Sequence, residues 1–153
     1  METYWSIALD DYEQAELCAQ LKRNKFAVFH YQQFAEKAAK FLLHKKDPRH
    51  KELKSHKVEE IIIAYDALME FNDITNKARY LTSFYFNTRY PGDNYVSEIT
   101  DMQVEHAKKC ADELKLFFEK ELEDIPKNAT KIDISGLKPA LQIIIKQKEN
   151  FKK

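Results

Sequence analysis

Apolar positions recur at three- and four-residue spacing over most of the chain, the period of an amphipathic helix. Trp5, Ala8, Leu9, Tyr12, Ala15 and Ala19 form the first stripe and predict a helix over about 3–21. Asp10, Asp11, Glu13 and Gln14 then fall on its opposite, solvated face. After a short break at Asn24, the richest stripe predicts a second helix over about 25–45. It is built from Ala27, Tyr31, Phe34, Ala35, Ala38, Phe41 and Leu42, widened by Val28, Phe29 and Leu43. A helix this apolar belongs at the centre of a bundle, and the short break makes the first two helices an antiparallel hairpin.

Residues 46–55 read as a polar connection, with Ser55 as the expected N-cap of a third helix over about 56–71. Val58, Ile61, Ile62, Tyr65, Leu68 and Met69 are its expected core face. Asn72-Asp73 marks a turn, and Thr75 is the expected cap of a helix over 75–86 whose Ala78, Leu81, Phe84 and Tyr85 face inward. Residues 87–99 lose the period and read as a long loop, a kind of segment that often carries function. Thr100-x-x-Gln103 is a capping box opening a fifth helix over about 101–123, lined by Val104, Ala107, Ala111, Leu114 and Phe118. After Pro126 the chain turns polar, with one short alternating piece, and residues 137–148 hold a possible last helix with the apolar run Leu141, Ile143, Ile144, Ile145. The expected architecture is an all-α, antiparallel up-and-down bundle of about five helices over 1–124, with a basic C-terminal extension over 125–153.

Composition narrows the function. Two glycines in 153 residues is far below the ~7% of average proteins. Gly92 and Gly136 stand alone, so dinucleotide folds, P-loops and multi-hairpin β architectures are excluded. The two cysteines, Cys18 and Cys110, indicate buried thiols in a reducing compartment, not a disulfide framework. The acidic, aromatic start and the lack of a long apolar run point to a cytoplasmic protein without a membrane partner.

Lys and Arg number 25, as do Asp and Glu, so the net charge is zero. That zero is a sum of blocks. Residues 1–20 hold five acids and no Lys or Arg, whereas 21–57 hold 11 basic residues against three acids. The extension from 125 holds seven lysines and two acids. Nonspecific nucleic-acid binders carry an overall positive excess, so any such contact here is expected to be local.

Three constellations bear on chemistry. His106 and Cys110 are one helical turn apart, but two ligands make no metal site, and no metal or cofactor is expected. His30, Gln33, Glu36, Lys37 and Lys40 form a polar ridge on the second helix. It is either a solvated face with an i,i+4 Glu36–Lys40 pair or a partly buried network between helices. The loop after the fourth helix is the strongest candidate, because Arg89 stands among Tyr85, Tyr90 and Tyr95 with Asn87, Asp93 and Asn94 nearby. A guanidinium takes phosphate bidentately and tyrosines stack on bases. The plain alternative is an Arg89–acid pair in a loop packed by its own tyrosines.

Five pieces of this chain, in order, resemble the HEPN family of helical, nucleotide-associated domains. They are Trp5 to Ala15, Phe29-His-Tyr-Gln-Gln-Phe-Ala-Glu-Lys-Ala-Ala-Lys, Ser55-His56, Tyr85 with Thr88-Arg-Tyr-Pro-Gly-Asp, and the helix from Met102 with Ala107 to Phe118. Together they span Tyr4 to Leu122. The resemblance implies a dimerising helical bundle, often paired with a minimal nucleotidyltransferase in toxin–antitoxin fashion. Many members are metal-independent ribonucleases with an Arg-x4-6-His motif, in which arginine steadies phosphate and histidine moves the 2′-hydroxyl proton. Arg89 fits the arginine, but the histidine positions hold Asn94, Tyr95 and Val96, and His106 lies 17 residues on. Asparagine is no general base near neutral pH, so the ribonuclease set is broken unless the fold brings His30 or His56 to Arg89. The tyrosine that some partners modify is also displaced, since its position holds Val96.

The expected function is a non-catalytic, dimeric domain binding a nucleotide or RNA phosphate. Arg89 would hold the phosphate, Tyr90 and Tyr85 would stack, and Asn94, Lys37 and His56 would be secondary contacts. A divergent ribonuclease with a displaced histidine is the enzymatic alternative. A structural adaptor, using the second-helix ridge or the 141–145 run as its partner surface, is the third.

Overall fold

The computed structural model describes residues 3–89 and 98–129, with side chains over 3–86 and 98–124. Five α-helices follow in order: α1 Tyr4–Gln20, α2 Asn24–Lys46, α3 Val58–Tyr65, α4 Asp73–Arg89 and α5 Asp101–Ala129. Two 3₁₀ turns, Lys51–Lys54 and Ala67–Phe71, flank α3, and no strand occurs among the described residues. The chain divides into two compact units, Met1–Glu119 and Lys120–Lys153. The first holds α1 to α4 and α5 as far as Glu119. In the second, the described residues continue as helix to Ala129. The anticipated helix over 137–148 lies outside the described residues.

In the first unit, α2 is the central element. Eleven of its residues are buried, and Ala27, Ala35, Ala38 and Ala39 let neighbouring backbones approach closely. Contacts run antiparallel along α1 and α2: Trp5 meets Phe41, Tyr12 meets Phe34, and the Tyr31 hydroxyl donates to Glu16. Phe34 also meets Phe118 edge-on at 6.1 Å, which joins α5 to the same core. The α1–α2 turn is a Schellman closure: Arg23 N donates to the Cys18 carbonyl and Lys22 N to that of Ala19. Lys22 takes the left-handed position at φ 59°, where glycine is the usual residue. The turn is then tied to the start of α5, because the Asn24 amide donates to the Ile99 carbonyl at 2.9 Å and to Asp101 at 2.8 Å.

The Thr100–Gln103 capping box forms in both directions, and Val104, Ala107, Ala111, Leu114 and Phe118 are buried as their spacing demands. Thr3 and Ser6 build a second box at the start of α1, which escaped the pattern because serine stands where glutamate or glutamine is usual.

Several boundaries differ from the sequence expectation. The third helix does not run from 56 to 71. It stops at Tyr65, where Asp66 becomes extended and its carboxylate accepts from Leu68 N at 3.0 Å. A 3₁₀ turn follows, so Met69 stays buried while Leu68, expected in the core, is 89% exposed. Ser55 does not cap α3: its hydroxyl accepts from Lys57 N in a local turn. The first amide of α3, at Val58, is instead satisfied from α4 by the buried Thr82 hydroxyl at 3.0 Å, and Thr82 donates onward to Glu59 at 2.7 Å. Thr75 does not cap α4 either. Asn72 accepts from Ile74 N, and the Thr75 hydroxyl turns inward to the Met69 carbonyl.

Residues 87–89 are helical, not loop. The buried row Ala78, Leu81, Tyr85 carries α4 onward, and the chain meets no breaker before the residue preceding Pro91. Helix α5 likewise continues past 123 and through Pro126, which was expected to lie outside it. Proline lacks the N–H that would bond the Leu122 carbonyl, and the backbone stays helical across that missing bond. Cys18, expected to be buried, is half-buried, whereas Cys110 is buried.

Candidate functional site

The polar ridge of α2 divides by helical geometry into two sides. Lys37 faces α1 and meets Asp11 at 2.5 Å, with the His30 ring on the other oxygen of that carboxylate at 3.0 Å. Asp11 was expected on the solvated face of α1, but these two partners hold it largely out of water. Lys37 and His30 are thus both engaged by α1.

Glu36, one residue earlier, turns the other way and is 4% exposed. A carboxylate buried that far requires partners. It has three. The Gln33 amide donates to it at 3.2 Å, the Lys40 ammonium at 3.4 Å, and the His56 Nδ1 lies 2.6 Å from its Oε1. Gln33 also donates to Gln32 at 2.6 Å, and the buried Gln32 amide donates to the His56 carbonyl at 3.3 Å. The ridge is therefore an interhelical network, one of the two arrangements its sequence allowed, and not a solvated face. The signal was the setting of Glu36 between Phe34-Ala35 and Ala38-Ala39, where a charge has little water to face.

This network fixes His56. Its carbonyl is held by Gln32, its Nδ1 by Glu36, and its ring stacks on Tyr85 with centroids 4.6 Å apart and planes 13° from parallel. The His56 side chain nevertheless remains 49% accessible. Tyr85 is buried in α4 and meets Phe86 edge-on at 4.9 Å. Two predicted site residues from separate elements, His56 and Tyr85, thus come together. Arg89 is placed in α4 four residues beyond Tyr85, one helical turn and about 6 Å of rise along the axis. Tyr90 and Asn94 lie outside the described residues.

A different polar cluster joins α1, α2 and α5. The Tyr31 hydroxyl donates to Glu16 at 2.8 Å, Tyr12 donates to Asp112, and Lys108 bridges Glu16 and Asp112 at 3.0 Å each. Burial first, and then these carboxylates, raise both phenols above the ordinary tyrosine range. For Lys108, partial burial pulls the ammonium pKa down, but Glu16 and Asp112 outweigh it and leave the pKa raised. With its hydroxyls, ammonium and carboxylates engaged with one another, the cluster fixes helix register.

The His106–Cys110 pair sits on α5 with Sγ 3.8 Å from Nε2. Tyr80 meets the imidazole edge-on at 4.2 Å. Burial, with Glu113 nearby, pushes the Cys110 thiol up to about 11, so it stays a neutral thiol at pH 7. Among the described residues, no three His, Cys, Asp or Glu side chains gather as a metal cage. Nor is any described helix long and apolar enough to cross a membrane.

The model of the HEPN domain matches the chain over residues 1–122. No curated protein and no solved structure matches it.

Proposed function

The chain belongs to the HEPN-domain family, and from that premise we propose that it binds the phosphate and base of a nucleotide or an RNA strand at the end of α4. The observation that carries this reading is the His56–Tyr85 stack one helical turn before Arg89. Arg89 would take the phosphate, a bidentate task suited to a guanidinium. The accessible face of His56 would offer a stacking surface, and Tyr85 beneath would keep that face in place. Tyr90 and Asn94 would add contacts from the segment after α4. Lys37, already engaged by Asp11, would contribute at most to the local field. The family premise further supports a homodimer acting with a nucleotidyltransferase-type partner, as in a toxin–antitoxin pair.

Retention of a labelled nucleotide or short RNA on the purified protein tests the reading. Arg89→Ala is expected to reduce it at least tenfold, the loss of one charge-assisted contact of about 1.5–3 kcal/mol. Equal retention by both proteins would sink the proposal.

A second reading, a divergent metal-independent ribonuclease, draws on the Glu36–His56 pair. A carboxylate-held imidazole is the usual form of a proton-transfer group. RNA cleavage in the presence of chelator, lost in Arg89→Ala, is its expected result. Absence of cleavage at high protein concentration would leave the binding reading alone.

A further inference from the structure

The 3₁₀ turn Ala67–Phe71 carries the two most exposed large apolar side chains among the described residues, Leu68 at 89% and Phe71 at 92%. In a 3₁₀ helix residues three apart eclipse one another, so Leu68 and Phe71 stand on one side, about 6 Å of rise apart. The turn is pinned along its length. The Asp66 carboxylate accepts from Leu68 N, Met69 N donates to the Asp66 carbonyl and Asn72 N to the Met69 carbonyl, each at 3.0 Å. Met69 itself is buried, and the buried Thr75 hydroxyl donates to its carbonyl at 2.6 Å. An α-helix continued past Tyr65 would have placed Leu68 on the face of Val58, Ile61, Ile62 and Tyr65. Asp66 ends that helix and turns Leu68 outward. Single apolar residues scattered on a surface are ordinary, but an eclipsed Leu–Phe pair on a pinned turn is a ridge of two anchors.

The charge around the ridge selects what can cover it. Residues 58–76 contain five acids and no Lys, Arg or His. Four of the acids are engaged: Glu59 by the Thr82 hydroxyl, Glu60 by Lys57, Asp66 by the turn itself and Asp73 by Lys77. Glu70, between the two anchors, is exposed and has no hydrogen bond or ion pair among the described residues. We propose that Leu68 and Phe71 form the docking ridge for a separate protein that offers an apolar cleft with a lysine- or arginine-lined rim. The cleft takes both side chains and the rim faces Glu70. A second copy of this chain fits less well. Ridge against ridge would bring two acidic segments together. Ridge against the basic 21–57 block would be a head-to-tail contact, which extends into open chains unless its rotation closes a ring. The proposal goes beyond the phosphate-binding reading and does not depend on it.

The test places the photo-crosslinking amino acid benzoyl-phenylalanine at Phe71 in the full chain, expressed in the cells the chain comes from. The same group at Met102, 80% exposed on α5, is the control. The expected result is an adduct from position 71, absent from position 102, whose crosslinked partner peptide is apolar and flanked by Lys or Arg. The identified partner is then purified and titrated. Leu68→Ala and Phe71→Ala are each expected to weaken its binding about tenfold or more, the effect of an interface hot spot. Glu70→Lys is expected to weaken it about threefold and to flatten its salt dependence. Because both anchors are exposed, their alanine variants should keep the wild-type urea midpoint. A lowered midpoint would make the pair part of the fold and overturn the proposal. So would the lack of an adduct from position 71, the same adduct from position 102, or a partner peptide without basic residues. An adduct to a second copy, or to the chain's own residues 125–153, overturns the choice of a separate protein. A partner that binds Leu68→Ala and Phe71→Ala as tightly as wild type overturns the ridge itself.

Discussion

Helix α2 carries a polar network on each of two sides, and the two differ in what they leave open. Toward α1 and α5, Tyr31, Glu16, Lys108, Asp112 and Tyr12 close on one another. Toward α3 and α4, Glu36 gathers Gln33, Lys40 and His56, but the outer nitrogen of His56 is left without a protein partner among the described residues. Both networks answer the same requirement, that a polar group leaving water must be paired. A network whose members all pair across three helices holds those helices in register. The other holds its outermost member, His56, in a fixed orientation while half of that side chain stays exposed. This difference, more than the amount of charge, marks the α3–α4 side as the candidate site.

Removing the central group of each network is the sharpest way to break the comparison. Glu36→Ala strands Lys40, whose side chain is only 12% exposed. Its expected cost is about 3 kcal/mol or more, read from urea unfolding. Tyr31→Phe deletes one hydroxyl from the other network while Lys108 still serves Glu16, and about 1–2 kcal/mol is expected. It should leave ligand retention unchanged. A loss of retention in Tyr31→Phe comparable to that in Glu36→Ala would erase the distinction between the two sides.

Alkaline titration sharpens the comparison next, because it addresses the closed network and Cys110. The Cys110 thiol is raised from 9.0 to about 11 by burial first and Glu113 second, and Tyr12 and Tyr31 are raised as well. A group whose pKa is raised on folding gives its full stability below the unfolded value. That stability is lost as pH climbs toward the folded value. Unfolding free energy should therefore hold to about pH 9 and then fall. Cys110→Ala should shallow the fall between pH 9 and 11. An unchanged slope would show that Cys110 does not contribute. Ligand retention should not follow this titration, since none of the three groups belongs to the Glu36–His56 network.

The smallest effect is expected at the α1–α2 turn, far along α2 from either network's centre. Lys22→Gly relieves a left-handed backbone at φ 59° and should stabilise by about 1 kcal/mol or less. Part of the gain is offset by the lost, exposed Lys22–Asp101 pair at 3.4 Å. A measured destabilisation would mean that this pair outweighs the backbone strain.

Periodicity made the bundle legible, because burial in a helix depends on spacing that the chain displays openly. Stripe residues such as Ala8, Ala27, Leu42, Ile61, Leu81 and Phe118 could be assigned to the core without coordinates. The Thr100 capping box was equally plain, since both halves lie within one turn. Caps supplied from afar were not. Val58 N is satisfied by Thr82, 24 positions on, and no local pattern records that. Leu68 was misplaced for a related reason: its helical spacing is correct, but Asp66 prefers to cap a new turn and so rotates the following residues out of register.

By itself, the sequence determined the all-α class, the central role of α2, the inward faces of α1, α2, α4 and α5 and the absence of a glycine-built phosphate loop. These follow from composition and from repeats within a few residues. Only the tertiary structure decided the fate of the polar positions on α2. Glu36 and Lys37 are neighbours in the chain, both set among Phe34, Ala35, Ala38 and Ala39, and the sequence does not say which way either turns. A rotation of about 100° between them sends one toward His56 and the other toward Asp11. Whether a charged side chain is a solvated surface group, a helix clamp or the anchor of a site depends on what another element places opposite it, and that is a property of packing.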